Sequence, residues 1–247
     1  MQRRPWTSGG NYRLHFIKRK SEAVWDKLIS AYRQKLPAMF TGIMRAVIRS
    51  ILFDLGNVLI PFDINRGYNA LAANSGLSPE VVATRIRDSG LYAVYESGQI
   101  ETEAFFDQFS SLLDLKCNLA EFREMWNAIF LPETATSEEL VIELKQRYRL
   151  VLLSNTNELH YGWLRERYPI LEHFDAYTLS YAEKAMKPDD RIYAAAVANA
   201  QCLPGECFFT DDIERNIDAA RAFGIDAEQF TGEATLRRHL RSRKLIG

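Results

Sequence analysis

The 247-residue sequence predicts an α/β protein: a doubly wound parallel sheet with a four-helix cap inserted after its first strand. Two observations predict this class. From residue 46 onward, short apolar runs alternate with segments of helical period, which is typical of a parallel sheet with helices on both faces. A long, mostly helical block also separates the first apolar run from the second. We therefore expect an α/β core of residues 45–64 and 132–247 and a helical cap of residues 65–131.

Apolar runs predict four strands of the sheet, at residues 47–53, 149–154, 175–180 and 207–210. Amphipathic segments predict three helices that follow them, at residues 190–202, 213–224 and 233–242. Sheets of this kind bind ligands at the carboxyl ends of their strands. The polar residues that end the strands are therefore the first candidates for a functional site.

The predicted cap contains four segments with an apolar stripe, at residues 65–76, 78–90, 101–113 and 118–130. Pro79 after Ser78 is typical of a helix start. Thr136 with Glu139 predicts a capping box for the helix that follows the cap. The stripe that ends with Trp126 and Phe130 is more typical of a bundle core than of a ligand site.

Charge is unevenly distributed along the chain. Residues 1–43 hold nine Lys/Arg and two Asp/Glu, a net of +7, whereas the remainder holds 22 and 30, a net of -8. The acidic body should repel nucleic acid, and no apolar run approaches the ~20 residues of a membrane span. We expect residues 1–44 to be a disordered tail or an over-long start. Residues 22–36 have helical spacing, so they could instead dock on the body, touch an anionic membrane or belong to a targeting segment.

The cysteines Cys117, Cys202 and Cys207 lack a CxxC pair and partnered histidines. They are typical of small buried side chains in a reducing compartment, so we expect a cytoplasmic protein. We expect a monomer or a homodimer, between which the sequence does not decide. The motifs GxGxxG, GxxxxGK[ST], HExxH and GxSxG are absent from the sequence. Nucleotide-dependent motors, zinc proteases and serine hydrolases therefore lack their signatures here.

Carboxylates end two of the predicted strands. Asp54 follows the first, and Asp211 and Asp212 follow "CFFT". If these strands are neighbours, Asp54 and Asp211 lie close together and repel unless a proton or a cation intervenes. Mg²⁺ binds one or two carboxylates together with phosphate and water. Asp54 could then bind the ion through one oxygen and attack phosphorus with the other.

Further polar groups are expected at the same edge of the sheet. Ser154 and Asn155 end "LVLLSN" and offer a hydroxyl, an amide and backbone N–H groups to a phosphate. Lys187 precedes Pro188 at the start of a helix. Its ammonium would neutralise phosphate charge and keep the nucleophile anionic.

Four motifs together resemble those of the haloacid dehalogenase-like (HAD) superfamily: "ILFDLGNVL", "LLSNTN", "MKPD" and "FFTDD", in that order. The resemblance covers about residues 46–231 and implies a Rossmann-like core with a four-helix cap between the first and second motifs. "FDLGNVL" followed by "SNTNELH" is most similar to the subgroup that contains α-D-glucose-1-phosphate phosphatase.

The resemblance implies roles for individual residues. Asp54 resembles the nucleophile, Lys187 the third-motif lysine, and Ser154 with Asn155 the phosphate-binding second motif. The Gly56 carbonyl, Asp211 and Asp212 resemble metal ligands beside Asp54, with Asp212 bound directly or through water. Gly56 departs from the family, because most phosphatases of the superfamily have an aspartate acid/base there. Its absence should matter most for poor leaving groups, since positioned proton transfer contributes about 10²–10⁴-fold.

The sequence thus predicts a Mg²⁺-dependent phosphatase that forms an aspartyl-phosphate on Asp54 and acts on a small phosphorylated metabolite, which we expect to be a sugar phosphate. One alternative is a 2-haloacid dehalogenase, against which the pair Asp211-Asp212 argues because that branch usually lacks it. Another is a catalytically weak module that binds phosphate esters. Of the remaining candidates, we expect His160 to pack or lie at the surface, and Tyr92, Tyr95 and Glu96 are possible cap residues for substrate selection.

Overall fold

The computed structural model describes Lys27, residues 29–32 and residues 47–247. Its strands are β1 (Ser50–Phe53), β2 (Arg149–Ser154), β3 (Ala176–Leu179), β4 (Cys207–Asp211) and β5 (Asp226–Gln229). All pair in parallel, in the order β3-β2-β1-β4-β5. The predicted fold class is confirmed. β1 is central and buried throughout, which explains why its sequence is a continuous apolar run rather than an alternating one.

The segment between β1 and β2 forms a helical block. Its helices are α1 (Ile64–Ser75), α2 (Pro79–Ser89), α3 (Leu91–Glu96), α4 (Thr102–Leu113) and α5 (Leu119–Asn127). Ser78 caps α2 with Pro79 at its first position, as predicted. The block buries its apolar stripes in a core of its own, in which Phe105, Phe109 and Phe122 are fully buried. The short helix α3 was not predicted, since six residues carry too little pattern.

The remaining helices cover the two faces of the sheet. They are α6 (Glu138–Lys145), α7 (Glu158–Arg165), α8 (Ser180–Glu183), α9 (Asp190–Ala200), α10 (Glu214–Ala222) and α11 (Glu233–Ser242), with short 3₁₀ turns at Pro169–His173 and Pro204–Glu206. One face packs against α6, α7 and α11, and the other against α9 and α10. This layering leaves the carboxyl edge of the sheet facing the helical block.

Two local predictions are corrected by the structure. The capping box of Thr136 and Glu139 is wrong, because Thr136 donates its hydroxyl to the Val58 carbonyl at 2.6 Å and Ser137 caps α6. β5 was missed because it is a polar edge strand in which only Ala227 is buried. Asp226 of this strand forms an ion pair with Arg243 at 2.7 Å. A charged residue in this position hides the strand from a search for apolar runs.

A paired tether attaches the helical block to the core. The Asp63 amide donates to the Ile129 carbonyl at 2.8 Å and the Leu131 amide donates to the Pro61 carbonyl at 3.0 Å. Phe62 and Phe130 form an antiparallel bridge between these bonds. The segments entering and leaving the block are therefore hydrogen-bonded to each other.

A second contact joins the block to the core at Gly98. The Ser180 hydroxyl lies 2.7 Å from the Glu96 carbonyl and 2.9 Å from the Thr156 carbonyl. A Cβ atom on Gly98 would lie 2.0 Å from the Tyr181 carbonyl oxygen, and the backbone there has φ +65°. Glycine is therefore required at this close approach.

Little of the basic N-terminal segment is described. Lys27 and residues 29–32 are helical, and Ile29 and Tyr32 pack against the sheet face covered by α9 and α10. The rest of the expectations for residues 1–44 lie outside the described residues. Among the residues that are described, no helix combines the length and apolar character needed to cross a membrane.

Candidate active site

The sheet register brings Asp54 and Asp211 together. Phe53 of β1 pairs with Thr210 of β4, and the Asp54 amide donates to the Thr210 carbonyl at 3.0 Å. Asp54 and Asp211 therefore emerge side by side from adjacent strands. Both carboxylates are buried, Asp211 completely. The predicted juxtaposition of the two carboxylates is present in the structure.

Lys187 lies between these carboxylates. Its Nζ is 2.7 Å from Asp54 Oδ1 and 2.6 Å from Asp211 Oδ2, and it donates to the Leu153 carbonyl at 3.1 Å. Its three donors are thus matched by three acceptors. Lys187 is only 3% exposed, so its ammonium is part of a buried ion-pair network.

Two asparagines that the sequence analysis did not single out donate hydrogen bonds to the carboxylates of Asp211 and Asp212. Asn57 Nδ2 donates to Asp212 Oδ2 at 3.0 Å. Asn216 Nδ2 lies 3.1 Å from both oxygens of Asp211, whose Oδ1 also accepts from the Ile213 amide at 2.8 Å. Asn57 has φ +56°, a left-handed conformation that asparagine tolerates better than most residues. Asparagine directly after Gly56 was the available signal for this turn.

The three carboxylates have the geometry of a cation site. One oxygen from each of Asp54, Asp211 and Asp212 lies within 4.8 Å of the others. Three carboxylates against one ammonium leave an excess of two negative charges when all are ionised. Mg²⁺ prefers oxygen ligands and uses carboxylates among them, so these three side chains would be suited to hold it. The hard oxygen donors and the charge deficit both fit a divalent cation.

Burial controls the protonation of this cluster. Desolvation raises the pKa of Asp54 to about 7, the Lys187 ammonium opposes the rise, and Asp211 adds to it. Desolvation acts to lower the pKa of Lys187, but the Asp54 and Asp211 carboxylates outweigh it and raise that pKa. Lys187 is therefore charged, and the carboxylates supply the stabilisation that burial removes.

Ser154 and Asn155 lie at the predicted edge but differ in their contacts. The Asn155 side chain donates to the Lys187 carbonyl at 3.0 Å and accepts from the Lys187 amide at 2.8 Å. These two bonds fix the loop that carries the ammonium. The Ser154 hydroxyl donates only to the Asn155 carbonyl at 3.2 Å, and Ser154 lines the cavity described next.

A cavity of 510 Å³ extends from the strand ends into the helical block. Its floor, as we use the term, consists of Asp54, Gly56, Ser154, Asn155, Lys187 and Asp212. Asp211 lies beneath the floor. Its apolar wall, as we use the term, consists of Phe62, Ile64, Tyr92, Trp126, Ile129 and Phe130. The sequence favoured a bundle core over a ligand site for Trp126 and Phe130, and in the structure both also face this cavity.

Phe62 occupies the space beside Gly56. A Cβ atom at position 56 would lie 2.9 Å from Phe62 Cε1, although the backbone there does not require glycine. Phe62 is itself 39% exposed. An apolar ring thus stands where a side chain at position 56 would begin.

The remaining candidates have distinct positions. His160 lines the cavity, but it is buried, stacks on Trp126 with the rings 5.2 Å apart, and contacts Asn127 through Nδ1 at 2.7 Å. Burial lowers its pKa to about 3, so its ring is neutral. Tyr92 and Glu96 face the cavity, whereas Tyr95 is buried with its hydroxyl 2.8 Å from Thr102.

Glu96 is a buried carboxyl in the block. Desolvation raises its pKa to about 7, while hydrogen bonding to Tyr92 and the charge of Lys187 lower it. The Tyr92 hydroxyl partners this carboxyl within the protein.

Comparisons with known proteins agree with this geometry. A family model described as haloacid dehalogenase-like hydrolase matches residues 48–224. A D-ribitol-5-phosphate phosphatase of Bacteroides thetaiotaomicron is 24% identical over 200 residues, covering 78% of this chain and 97% of the relative. A sesquiterpene phosphatase of Aspergillus oryzae is 26% identical over 207 residues, covering 83% of this chain and 100% of the relative.

A solved structure is also similar. It is a HAD family enzyme of Bacteroides thetaiotaomicron in complex with magnesium and inorganic phosphate. The TM-score is 0.68 and the identity 27%, covering 74% of this chain and 93% of that chain.

Proposed function

Because the chain belongs to the haloacid dehalogenase-like hydrolase family, we propose that it is a Mg²⁺-dependent phosphatase that hydrolyses a small phosphomonoester through an aspartyl-phosphate on Asp54. The observation that carries this proposal is the cluster of three carboxylates and one ammonium at the floor of the cavity. Phosphatases among its relatives and a neighbour bound to magnesium and phosphate support it.

The residues that would hold Mg²⁺ are Asp54, Asp211 and Asp212 and, by family resemblance, the carbonyl of Gly56. When bound, the ion supplies positive charge to the carboxylates and to the transferring phosphoryl group. Asn57 and Asn216 keep the carboxylates of Asp212 and Asp211 oriented. Such supporting bonds matter because they set both geometry and affinity at metal sites.

The reaction divides into two displacements at phosphorus. An Asp54 oxygen forms a bond to phosphorus while the ester P–O bond breaks and the alkoxide leaves, taking a proton from water. Water then attacks the same phosphorus, the bond to Asp54 breaks to restore its carboxylate, and inorganic phosphate departs. The proton that the attacking water loses neutralises the hydroxide left by the first step. Lys187 holds Asp54 in position and offsets negative charge, and Ser154 offers its hydroxyl to the phosphoryl oxygens.

Asn155 has a supporting role in this proposal. Its side chain is committed to the backbone of Lys187 on both sides. It positions the ammonium, rather than binding phosphate through its amide as the family resemblance implied. Gly56 supplies no proton to the leaving group, so turnover should depend on how readily the alcohol leaves.

We propose that the helical block acts as the cap that selects the substrate, since Tyr92, Glu96 and Trp126 all face the floor from it. The expected sugar phosphate and the expected α-D-glucose-1-phosphate phosphatase subgroup stay predictions. The two relatives are named for different alcohols, a polyol and a terpene. The free thiols of Cys117, Cys202 and Cys207 support the expected cytoplasmic location.

Phosphate release tests this proposal directly. We expect Asp54→Asn to lose turnover of acetyl phosphate and of every phosphomonoester in a panel by at least about 10⁴-fold with Mg²⁺ present. Asp107→Asn, an exposed aspartate of α4, is the matched control and should retain wild-type turnover. Activity that survives in Asp54→Asn would remove the proposed nucleophile. Phosphate release that persists in a chelator would overturn the proposed dependence on Mg²⁺.

A further inference from the structure

The mouth of the cavity collects exposed apolar side chains. Among the described residues, six large hydrophobic side chains are exposed, and three of them line this cavity: Phe62, Ile64 and Ile213. Exposed apolar groups that cluster at a pocket usually mark a contact surface. The three are continuous with Trp126, Ile129 and Phe130 deeper in the cavity.

Above the floor, the cavity is also lined by seven polar side chains, and several of them are paired within the protein: Tyr68, Arg87, Tyr92, Glu96, Thr156, His160 and Asn216. The Arg87 guanidinium donates to the Thr84 hydroxyl at 3.4 Å. The carboxyl of Glu96 is hydrogen-bonded by Tyr92. His160 is neutral and bonds Asn127 through Nδ1. Asn216 is committed to Asp211. A polyol carries a hydroxyl on each carbon, and each hydroxyl placed against this wall would lose its bonds to water without equivalent partners.

We propose that the alcohol part of the substrate is an apolar hydrocarbon, held against Phe62, Ile64, Trp126, Ile129 and Phe130 while its phosphate lies on the floor. This inference rests on the proposed phosphatase function and names its substrate class. It differs from the sugar phosphate expected from the sequence. An apolar chain gains by leaving water, whereas a polyol of equal length does not.

The proposal is tested by varying the length of the alkyl group in the substrate while the leaving group stays a primary alcohol. The substrates are n-alkyl monophosphates from ethyl to octyl, compared with D-ribitol 5-phosphate, which is also an ester of a primary alcohol. We expect kcat/KM to rise about three- to fourfold per added methylene until the cavity is filled. The polyol ester should be at least about 100-fold poorer than pentyl phosphate, which has the same chain length.

A wall variant separates binding from chemistry. Ile64→Ser changes a side chain that is 48% exposed, so the fold should tolerate it. We expect this variant to lower about fivefold the ratio of kcat/KM for octyl phosphate to kcat/KM for ethyl phosphate, because the short ethyl group gains least from the wall. Ile142→Ser is the matched control, because Ile142 is 42% exposed on α6 and does not line the cavity. The control variant should show the same dependence of kcat/KM on alkyl chain length as the wild type.

The outcomes distinguish the two proposals. A kcat/KM that does not change with alkyl chain length would overturn the proposal of an apolar substrate. It would indicate that the wall residues pack against one another and not against a substrate. A preference for the polyol ester would overturn it as well. In either case, Asp54-dependent hydrolysis of acetyl phosphate would leave the phosphatase function standing. No hydrolysis of any substrate would overturn the proposed function and this inference together.

Discussion

The floor of the cavity is a network of charged and amide groups within hydrogen-bond reach of one another, whereas the wall opposite is aromatic and aliphatic. The floor comes from the ends of β1, β2 and β4 and the loop of Lys187, so its positions follow from sheet register. The wall comes from the helical block and its tether. The difference teaches that the charged groups proposed to carry the reaction and the apolar groups proposed to select the substrate come from separate parts of this chain.

The largest predicted effect would break the ion-pair network of Asp54, Lys187 and Asp211, whose last member lies beneath the floor. Asp211→Asn removes a buried charge that partners Lys187 and contributes to the cation site, and we expect kcat/KM to fall by more than about 10³-fold. Mg²⁺ at a hundredfold excess over its Kd should stabilise the wild type by about 2.7 kcal/mol, and this gain should vanish in the variant. Thermal unfolding with and without Mg²⁺ measures it.

Asp218→Asn is the control for this prediction. Asp218 is an exposed aspartate of α10 that contacts Arg221 at 3.5 Å. It should keep both turnover and the Mg²⁺-dependent gain in stability. Full stabilisation of Asp211→Asn by Mg²⁺ would show that the ion binds elsewhere.

The second effect tests the buried carboxyl of Glu96, which lines the cavity beside the wall. Because burial raises the pKa of Glu96 to about 7 in the folded state, its ionisation destabilises the fold as pH rises from about 4.5 to 7. Glu96→Gln has no such penalty. We expect the free energy of unfolding of the variant to equal that of the wild type near pH 4. At pH 8 it should be larger by on the order of 2–3 kcal/mol.

Urea unfolding of the two proteins across this pH range provides the measurement. Glu103→Gln, at an exposed position of α4, serves as the control. If the difference in unfolding free energy between Glu96→Gln and the wild type does not change with pH, the raised pKa of Glu96 is contradicted.

The smallest effect tests the support of the floor. Asn57→Gly removes the bond to Asp212 but permits the φ of +56°. We expect Mg²⁺ affinity to fall about tenfold, in line with other supporting residues at metal sites. Asn57→Ala should lose the same affinity and additional stability, because alanine is strained at this backbone angle. Equal Mg²⁺ affinity in Asn57→Gly and the wild type would show that Asn57 acts only as a turn residue.

The sequence allowed the floor to be predicted because strand ends are local signals. Asp54, Lys187 and Asp211 each follow an apolar run or precede a helix, and parallel strands bring such positions to one edge. Once the strands are identified, the ends of parallel neighbours are expected at the same edge of the sheet, whatever side chains lie elsewhere in the chain. The same reasoning could not separate Asn155, whose amide serves the Lys187 loop, from a phosphate ligand, because hydrogen-bond partners are set in three dimensions.

The wall could not be predicted because an apolar stripe does not tell which of its members face a void. Trp126 and Phe130 fit a bundle core by periodicity, and both also line the cavity. Phe62 lies on a tether whose pairing joins residues 61–63 with 129–131. β5 was missed for a related reason, since its strand conformation comes from pairing with β4 and not from an apolar pattern.

The tether has a consequence for access to the cavity. Phe62 and Phe130 project from its paired segments, and their rings lie 6.5 Å apart beside the opening. A rotation of the helical block that preserved the bonds at Pro61 and Asp63 would have to pivot at this tether. The two aromatic rings that border the cavity would then lie at the point about which the block turns.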